Sequence, residues 1–232
     1  MISMDNARTV FVTGGAGGLG TATVAAFVAD GWRVVAPVRP GAADRLPQGA
    51  IAVEGDLSDP ADFAAAISVA AGEPGAPLRA VVNLVGGFAA GGLVADTPID
   101  DFEKILALNL RPTSLVTAAA LPHLVAAGGG SIVCVSSRAA VAPFPGAAGY
   151  VTAKAAVLAF AGAVAVEYRK QGVRCNTVLP SVIDTGTNRA AMPDADVSRW
   201  VTPEQIAPTL LFLASDASAP TSGAQIPVYG QA

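Results

Sequence analysis

The stretch that most limits the fold is Val10-Phe11-Val12-Thr13, followed at once by Gly14-Gly15-Ala16-Gly17-Gly18-Leu19-Gly20. A continuous apolar run of this length reads as a buried strand, here Arg8 to Thr13. Thr21 to Asp30 then reads as a helix with apolar positions at Val24, Phe27 and Val28, and Gly31 stands where a helix C-terminus favours glycine. Arg33 to Val38 is a second strand. Strand, glycine turn, helix and strand make a βαβ unit, and two parallel strands need such a crossover. The glycines also carry a chemical expectation. Unpaired N–H groups and the helix dipole attract a pyrophosphate, and side chains at Gly14, Gly18 and Gly20 would block close backbone approach.

The same alternation continues to the C-terminus. Ile51-Ala52-Val53 is a third strand, and Ser58 or Asp59 caps a helix from Pro60 to about Ala71. Arg79 to Val85 is a fourth strand, ending at Gly86-Gly87. Thr97 is placed to cap a long helix from Pro98, with Asp100 and Asp101 suiting its dipole and Pro112 expected to kink or divide it. Ser131 to Ser136 is a fifth strand, Ala147 to Gln171 a long helix, and Val173 to Leu179 a sixth strand. Ser181 to Trp200 shows no period. A helix from Thr202-Pro203-Glu204 to about Ala214 and a short strand, Gln225 to Val228, complete the chain. Seven strands alternating with helices predict an α/β fold: a Rossmann-type doubly wound parallel sheet covered on both faces. With no repeat and no linker, residues 1–232 read as one domain, with a short tail over 1–7.

Charge excludes some partners. The chain has 232 residues, only 14% charged, and a formal net charge of −4. No basic stripe offers a nucleic-acid footprint. The longest apolar run, Ala155 to Val166, is short of the ~20 residues a bilayer span needs, so no membrane partner is expected. Met1-Ile2-Ser3-Met4-Asp5 lacks the charged and apolar regions of a signal peptide, which predicts a cytoplasmic protein. Cys134 and Cys175 read as buried free thiols, and no set of residues has metal-ligand spacing.

Tyr150-Val151-Thr152-Ala153-Lys154 opens the long apolar helix. Residues four apart share a helix face, and an ammonium near a phenol is expected to pull its pKa down towards a useful range. Upstream lie Ser136 and Ser137, which strand alternation sends to opposite sides, so they cannot do the same job. His123 follows Pro122 near a helix end and suits a capping role there.

Taken together, these motifs resemble a short-chain dehydrogenase/reductase of the family's shorter subgroup, from Arg8 to Gly230. Thr13-Gly14-x-x-x-Gly18-x-Gly20 is similar to its cofactor loop, with Leu19 inside it. Asp56-Leu57 resembles its adenine-contacting pair, and Asn109 stands where it carries an active-site Asn. Ser137 precedes Tyr150 by thirteen residues, the family's usual interval, and Tyr150-x-x-x-Lys154 is its signature. Asn83-Leu84-Val85-Gly86 keeps the first Asn and the Gly of the family's Asn-Asn-Ala-Gly but not its middle. Pro180-Ser181 stands for its Pro-Gly, while Ile183 and Thr185 match cofactor-contacting positions.

The resemblance implies hydride transfer between a nicotinamide cofactor and a small-molecule carbonyl or alcohol, as in the 3-oxoacyl-thioester and carbonyl reductases. Tyr150 would act as general acid/base. Lys154 would tune it and hold the cofactor ribose. Ser137 would bond the substrate oxygen, and Asn109 would position a water linking Lys154 to solvent. At the end of the second strand stand Val38 and Arg39. No carboxylate is available there for a ribose 2′-OH, and a guanidinium suits a 2′-phosphate, so NADP(H) is favoured with NAD(H) possible. The competing readings are an NAD-dependent alcohol dehydrogenase working oxidatively and a non-catalytic dinucleotide sensor. The loop after Gly86, residues 138–146 and a substrate loop over 186–200 should line the pocket, with Phe88, Phe144, Met192 and Trp200 as apolar lining. Arg138 and Arg189 are expected to face water. The resemblance also implies a homotetramer or homodimer built on the two long helices, Pro98 to Ala127 and Ala147 to Gln171. Light scattering checks this, and a monomer would refute it.

Overall fold

The computed structural model describes residues 7–56 and 58–231. Seven strands form one parallel sheet: β1 (Thr9–Thr13), β2 (Arg33–Val38), β3 (Ala50–Glu54), β4 (Leu78–Asn83), β5 (Gly130–Val135), β6 (Val173–Pro180) and β7 (Gln225–Val228). Their spatial order is β3-β2-β1-β4-β5-β6-β7. The chain winds outward from β1 to one edge, then returns to the far side of β1 and winds to the other. The crevice between the C-terminal ends of β1 and β4, where the winding reverses, is the switch point at which doubly wound sheets bind ligands.

Strand alternation sorts the core into two layers. On β1, Phe11 points to one face, with Val35, Val81, Ile132 and Cys134, under Phe63, Ile67, Val116, Leu124, Val157 and Val164. Those side chains come from α2 (Pro60–Ala71), α3 (Ile99–Ala126) and α4 (Ala148–Glu167). Val10 and Val12 point to the other face, with Val34, Val82, Val133 and Val178. There they meet Val24 and Phe27 of α1 (Gly18–Ala29) and Ile206, Leu210 and Leu213 of α6 (Pro203–Ala214). Each fully buried side chain of this size contributes about 1.5–3 kcal/mol. A short helix, α5 (Gly186–Ala191), lies in the stretch without sequence period.

Several boundaries depart from the sequence expectation for identifiable reasons. Helix α1 starts at Gly18 rather than Thr21, so the second half of the glycine stretch is its first turn. Strand β4 stops at Asn83 because the N–H groups of Leu84 and Val85 turn aside to the Thr13 hydroxyl, at 3.0 and 3.4 Å. Asp59, not Ser58, caps α2, its carboxylate accepting from the Ala61 N–H at 2.8 Å. Thr97 does not cap α3; its hydroxyl donates back to the Gly92 and Leu93 carbonyls at 3.2 and 3.0 Å, and Pro98 is the N-cap. Pro112 does not divide α3, because Ile105 and Asn109 before it and Thr113, Val116 and Thr117 after it are all buried in the same packing. Helix α4 is long and apolar enough to cross a bilayer by length and composition. Here one face of it packs into the core, with Ala153, Lys154, Val157, Ala161 and Val164 buried.

Gly20 shows how tightly the glycine turn and α1 approach, since a Cβ there would stand 2.0 Å from the Gly14 carbonyl oxygen. Gly20→Ala is expected to cost about 2 kcal/mol or more, because the obstructing atom is backbone. Gly162 in α4 has open space within 4 Å of its Cβ position. Gly162→Ala should gain about 0.5–1 kcal/mol from helix propensity. Urea unfolding of the two variants checks both signs.

Candidate active site

The glycine turn leaves β1 with Gly14 at φ 69° and its carbonyl accepting from the Gly17 N–H at 2.9 Å. Gly17 is the N-cap of α1; no side chain caps the helix and no acid sits in its first turn. Its first-turn N–H groups therefore face the crevice with an intact dipole, the arrangement that receives an anion. Thr185 lies against this turn: a Cβ on Gly18 would come within 2.7 Å of its methyl carbon. Thr185 also caps α5, its hydroxyl accepting from the Asn188 N–H at 3.2 Å. Leu19 and Ile183 pack on the α1/α6 core layer, and Ile183 bridges to Val201. A pyrophosphate fits this uncapped, glycine-walled turn.

The ends of β2 and β3 are more open. Arg39 is exposed just beyond β2. Asp56, beyond β3, accepts from the Ser58 N–H and hydroxyl at 2.9 and 2.8 Å. These two bonds hold its carboxyl below the usual carboxylate range, with the Arg39 charge adding to them. Leu57 lies outside the described residues.

The catalytic candidates come together where α4 meets the ends of β4 and β5. Ser136 and Ser137 follow β5 and diverge as alternation requires. The Ser136 hydroxyl donates to the Lys154 carbonyl at 2.7 Å, a purely structural bond. Ser137 and Tyr150 both line a cavity of about 500 Å³. Lys154, one turn beyond Tyr150, is only 7% exposed, and its ammonium donates to the Val135 carbonyl at 3.2 Å. Its Nζ lies 5.9 Å from the centre of the Tyr150 ring.

The electrostatics correct one expectation. Burial pushes the Lys154 ammonium down to about 8, with the Cys134 sulfur opposing. Burial also raises the Tyr150 phenol above its ordinary value, with the Ser137 hydroxyl pulling the other way. The lysine therefore does not lower the phenol in this structure. Both groups are partly withdrawn from water, and desolvation disfavours the charged form of each.

Asn109 is fully buried and joins α3 to the loop after β4. Its amide donates to the Gly87 and Ile105 carbonyls, both at 2.9 Å, and accepts from the Gly87 N–H at 3.2 Å. Its side-chain amide is thus engaged with backbone on both sides. Gly86 sits between the two buried polar groups. A Cβ there would be 2.6 Å from Asn109 Oδ1 and 3.1 Å from Lys154 Nζ. Asn83 ends β4 beneath this loop, donating to the Thr117 hydroxyl at 3.2 Å, while its Oδ1 has no partner among the described residues. Buried Cys134 and Cys175 are free thiols, as expected.

Phe88, Phe144 and Met192 line the cavity as the sequence suggested, whereas Trp200 does not; Pro180, Ser181, Val182 and Asn188 do. The Phe88 ring stands edge-on to Tyr150 with centroids 5.0 Å apart. Phe88 and Tyr150 also border a second cavity of about 400 Å³ that runs along α3 past Phe102, Ile105 and Leu108. Arg189 is turned away, paired with Asp184 through Nη2 at 2.8 Å. Arg138 lines the main cavity with its guanidinium 5.3 Å from the Tyr229 ring centre. The Tyr229 contact had no sequence signal, since the two residues lie ninety-one positions apart. His123 sits in the last turn of α3, remote from the cavity.

Residues 8–196 match the family model of the short chain dehydrogenases. The chain is 32% identical to the 2-(R)-hydroxypropyl-CoM dehydrogenase of Xanthobacter autotrophicus, covering 96% of this chain and 97% of that protein. It is also 32% identical to an L-rhamnose 1-dehydrogenase (NAD(P)(+)) of a Sphingomonas species, with 96% and 95% covered. Among solved structures, a short-chain type dehydrogenase/reductase from Mycobacterium ulcerans superposes with a TM-score of 0.88 at 28% identity, covering 97% of this chain and 90% of that one. Likeness of this extent, in sequence and in fold, is that of common descent: the chain belongs to the short-chain dehydrogenase family.

Proposed function

We propose that the protein is an NADP(H)-preferring oxidoreductase that interconverts a small-molecule carbonyl compound and its alcohol, with Tyr150 as general acid/base. Family membership makes it an NAD(P)-dependent dehydrogenase. The observation that carries the assignment of Tyr150 is one cavity bordered by both Ser137 and Tyr150, with buried Lys154 one helical turn behind.

When bound, the cofactor supplies or accepts the hydride at its nicotinamide ring. The uncapped start of α1, with Gly14, Gly18, Leu19 and Gly20, would hold the pyrophosphate. Arg39 would take a 2′-phosphate and Asp56 the adenine side, while Pro180, Ile183 and Thr185 would flank the nicotinamide half. Thr13, Asn83 and Gly86 shape the floor between them. In reduction, the Tyr150 phenol donates its proton to the carbonyl oxygen as that oxygen gains charge. The Ser137 hydroxyl donates a hydrogen bond to the same oxygen and stabilises the developing charge. In oxidation the phenolate takes the proton back. Lys154, anchored on the Val135 carbonyl one turn behind Tyr150, would hold the cofactor ribose. Asn109 holds the loop carrying Gly86 and Gly87 against α3, so that the lysine and the cavity wall keep their places. These roles suit a protein of the cytoplasm, where NADPH is plentiful.

Initial rates over a panel of ketones and secondary alcohols test this. Tyr150→Phe should lower kcat by about 10³-fold, the scale of general acid catalysis, while NADPH binding by fluorescence survives. Equal rates in wild type and variant would sink the assignment of Tyr150. NADPH should outperform NADH, and Arg39→Asp should reverse that order; a wild-type preference for NADH would overturn the cofactor reading.

Lys154 gives a second test. Its proton is held to 10.5 in the unfolded chain but only to about 8 in the folded one. Between those values unfolding takes up a proton, so stability rises with pH across that window and is flat below it. The stability of wild type minus that of Lys154→Met, from denaturant unfolding at stepped pH, should climb above pH 8. A flat difference would show that the lysine is not desolvated as described.

A further inference from the structure

The main cavity has an apolar body and one charge. Phe88, Ala139, Ala142, Phe144, Val182 and Met192 make most of its wall. Arg138 is the single charged side chain along it, next in the chain to Ser137. Both ion pairs found among the described residues, Arg8–Asp30 and Arg189–Asp184, leave Arg138 without a carboxylate. Arg199 is spent on the Gln231 carbonyl through Nε and Nη2 at 3.1 and 3.0 Å. Arg138 is half-buried and lies over the Tyr229 ring, which holds the plane of the guanidinium while leaving its N–H edges available. Tyr229 is itself placed by the C-terminal strand: Val228 pairs with Pro180, and the Arg199–Gln231 bonds fasten the segment beyond. A half-buried cation that is oriented but not paired, beside the reacting groups, is a recognition device rather than a solvated surface charge.

We propose that Arg138 binds a carboxylate of the substrate, so that the enzyme acts on oxo acids or hydroxy acids with an apolar chain between carboxylate and reacting carbon. This rests on the hydride-transfer reading above and adds the substrate class to it. The carboxylate meets the guanidinium edge, the chain lies along Phe88, Phe144 and Met192, and the reacting oxygen falls between Ser137 and Tyr150. Arg138 binds and orients; it takes no part in proton transfer. Tyr229 acts through Arg138 and is a positioning residue.

The test uses methyl-ketone acids of increasing chain length and their methyl esters, with NADPH and with NADH. Wild type should favour the acid over its ester at one chain length. Arg138→Gln should lower the acid-to-ester ratio of kcat/KM by about 10- to 100-fold, chiefly through KM, as expected for a lost charge-assisted bond. Arg138→Lys should recover part of it, and Tyr229→Ala should lower the ratio less, by loosening the guanidinium. Thermal shift with the acids supplies a readout that needs no turnover: the acid should protect wild type and not Arg138→Gln. A wild type that prefers the esters at every length, or a ratio unchanged in Arg138→Gln, overturns the inference while hydride transfer stands. Acid protection that depends on Arg138, with no turnover of either series, upholds the carboxylate site and overturns the oxo or hydroxy acid as the substrate, while hydride transfer stands.

Discussion

The site depends on how α4 is fastened to β5. Two hydrogen bonds run in opposite directions across that contact: the Ser136 hydroxyl donates to the Lys154 carbonyl, and the Lys154 ammonium donates to the Val135 carbonyl. A buried ammonium is costly unless it is hydrogen-bonded, and the cost appears as the fall of its pKa to about 8. What the chain obtains is placement. With Lys154 anchored, the turn before it carries Tyr150 to the cavity wall, and Ser137, one residue past the anchoring serine, must face the same cavity.

The loop after β4 closes the site from the other side, and small features set its path. The Thr13 hydroxyl draws the Leu84 and Val85 N–H groups out of the ladder, which ends the strand at Asn83. Asn109 then grips the backbone of Gly87 from both sides. A Cβ at position 86 would force the Asn109 amide to shift, so glycine lets the chain pass between Asn109 and Lys154 undisturbed. The middle residues of the segment, Leu84 and Val85, contribute backbone N–H groups to Thr13. This explains how the segment departs from the family pattern at those two positions while keeping Asn83 and Gly86.

Much of the fold was legible because its signals are local. Continuous apolar runs mark buried parallel strands, and Val10-Phe11-Val12 feeds both core layers by simple alternation. Asp59, one of the two caps the sequence offers for α2, can be found because a cap acts within three residues. Thr97 failed as a cap because its hydroxyl found carbonyls in the preceding loop, which local spacing does not reveal. Pro112 failed as a break because packing on both sides of it outweighs one missing hydrogen bond. Ser137 could be told from Ser136 by strand period and by its interval to Tyr150. Arg138 and Arg189 looked alike in sequence; one lies over Tyr229 at the cavity and the other is paired with Asp184.

The sequence by itself determined the parallel sheet, the glycine turn against α1, and the membership of Ser137, Tyr150 and Lys154 in one group. The first two follow from period and backbone sterics, which act over a few residues; the third is what the resemblance to the family implies. The tertiary structure decided which way the site is charged and what walls it. Desolvation depends on everything packed around a group, so the raised phenol and lowered ammonium could not be read from Tyr150 and Lys154 alone. The cavity gathers Phe88, Arg138 and Met192 from three separate crossovers, and Tyr229 meets Arg138 from just past the last strand. Those meetings are set by the order of the strands in the sheet, a long-range outcome that no local pattern encodes.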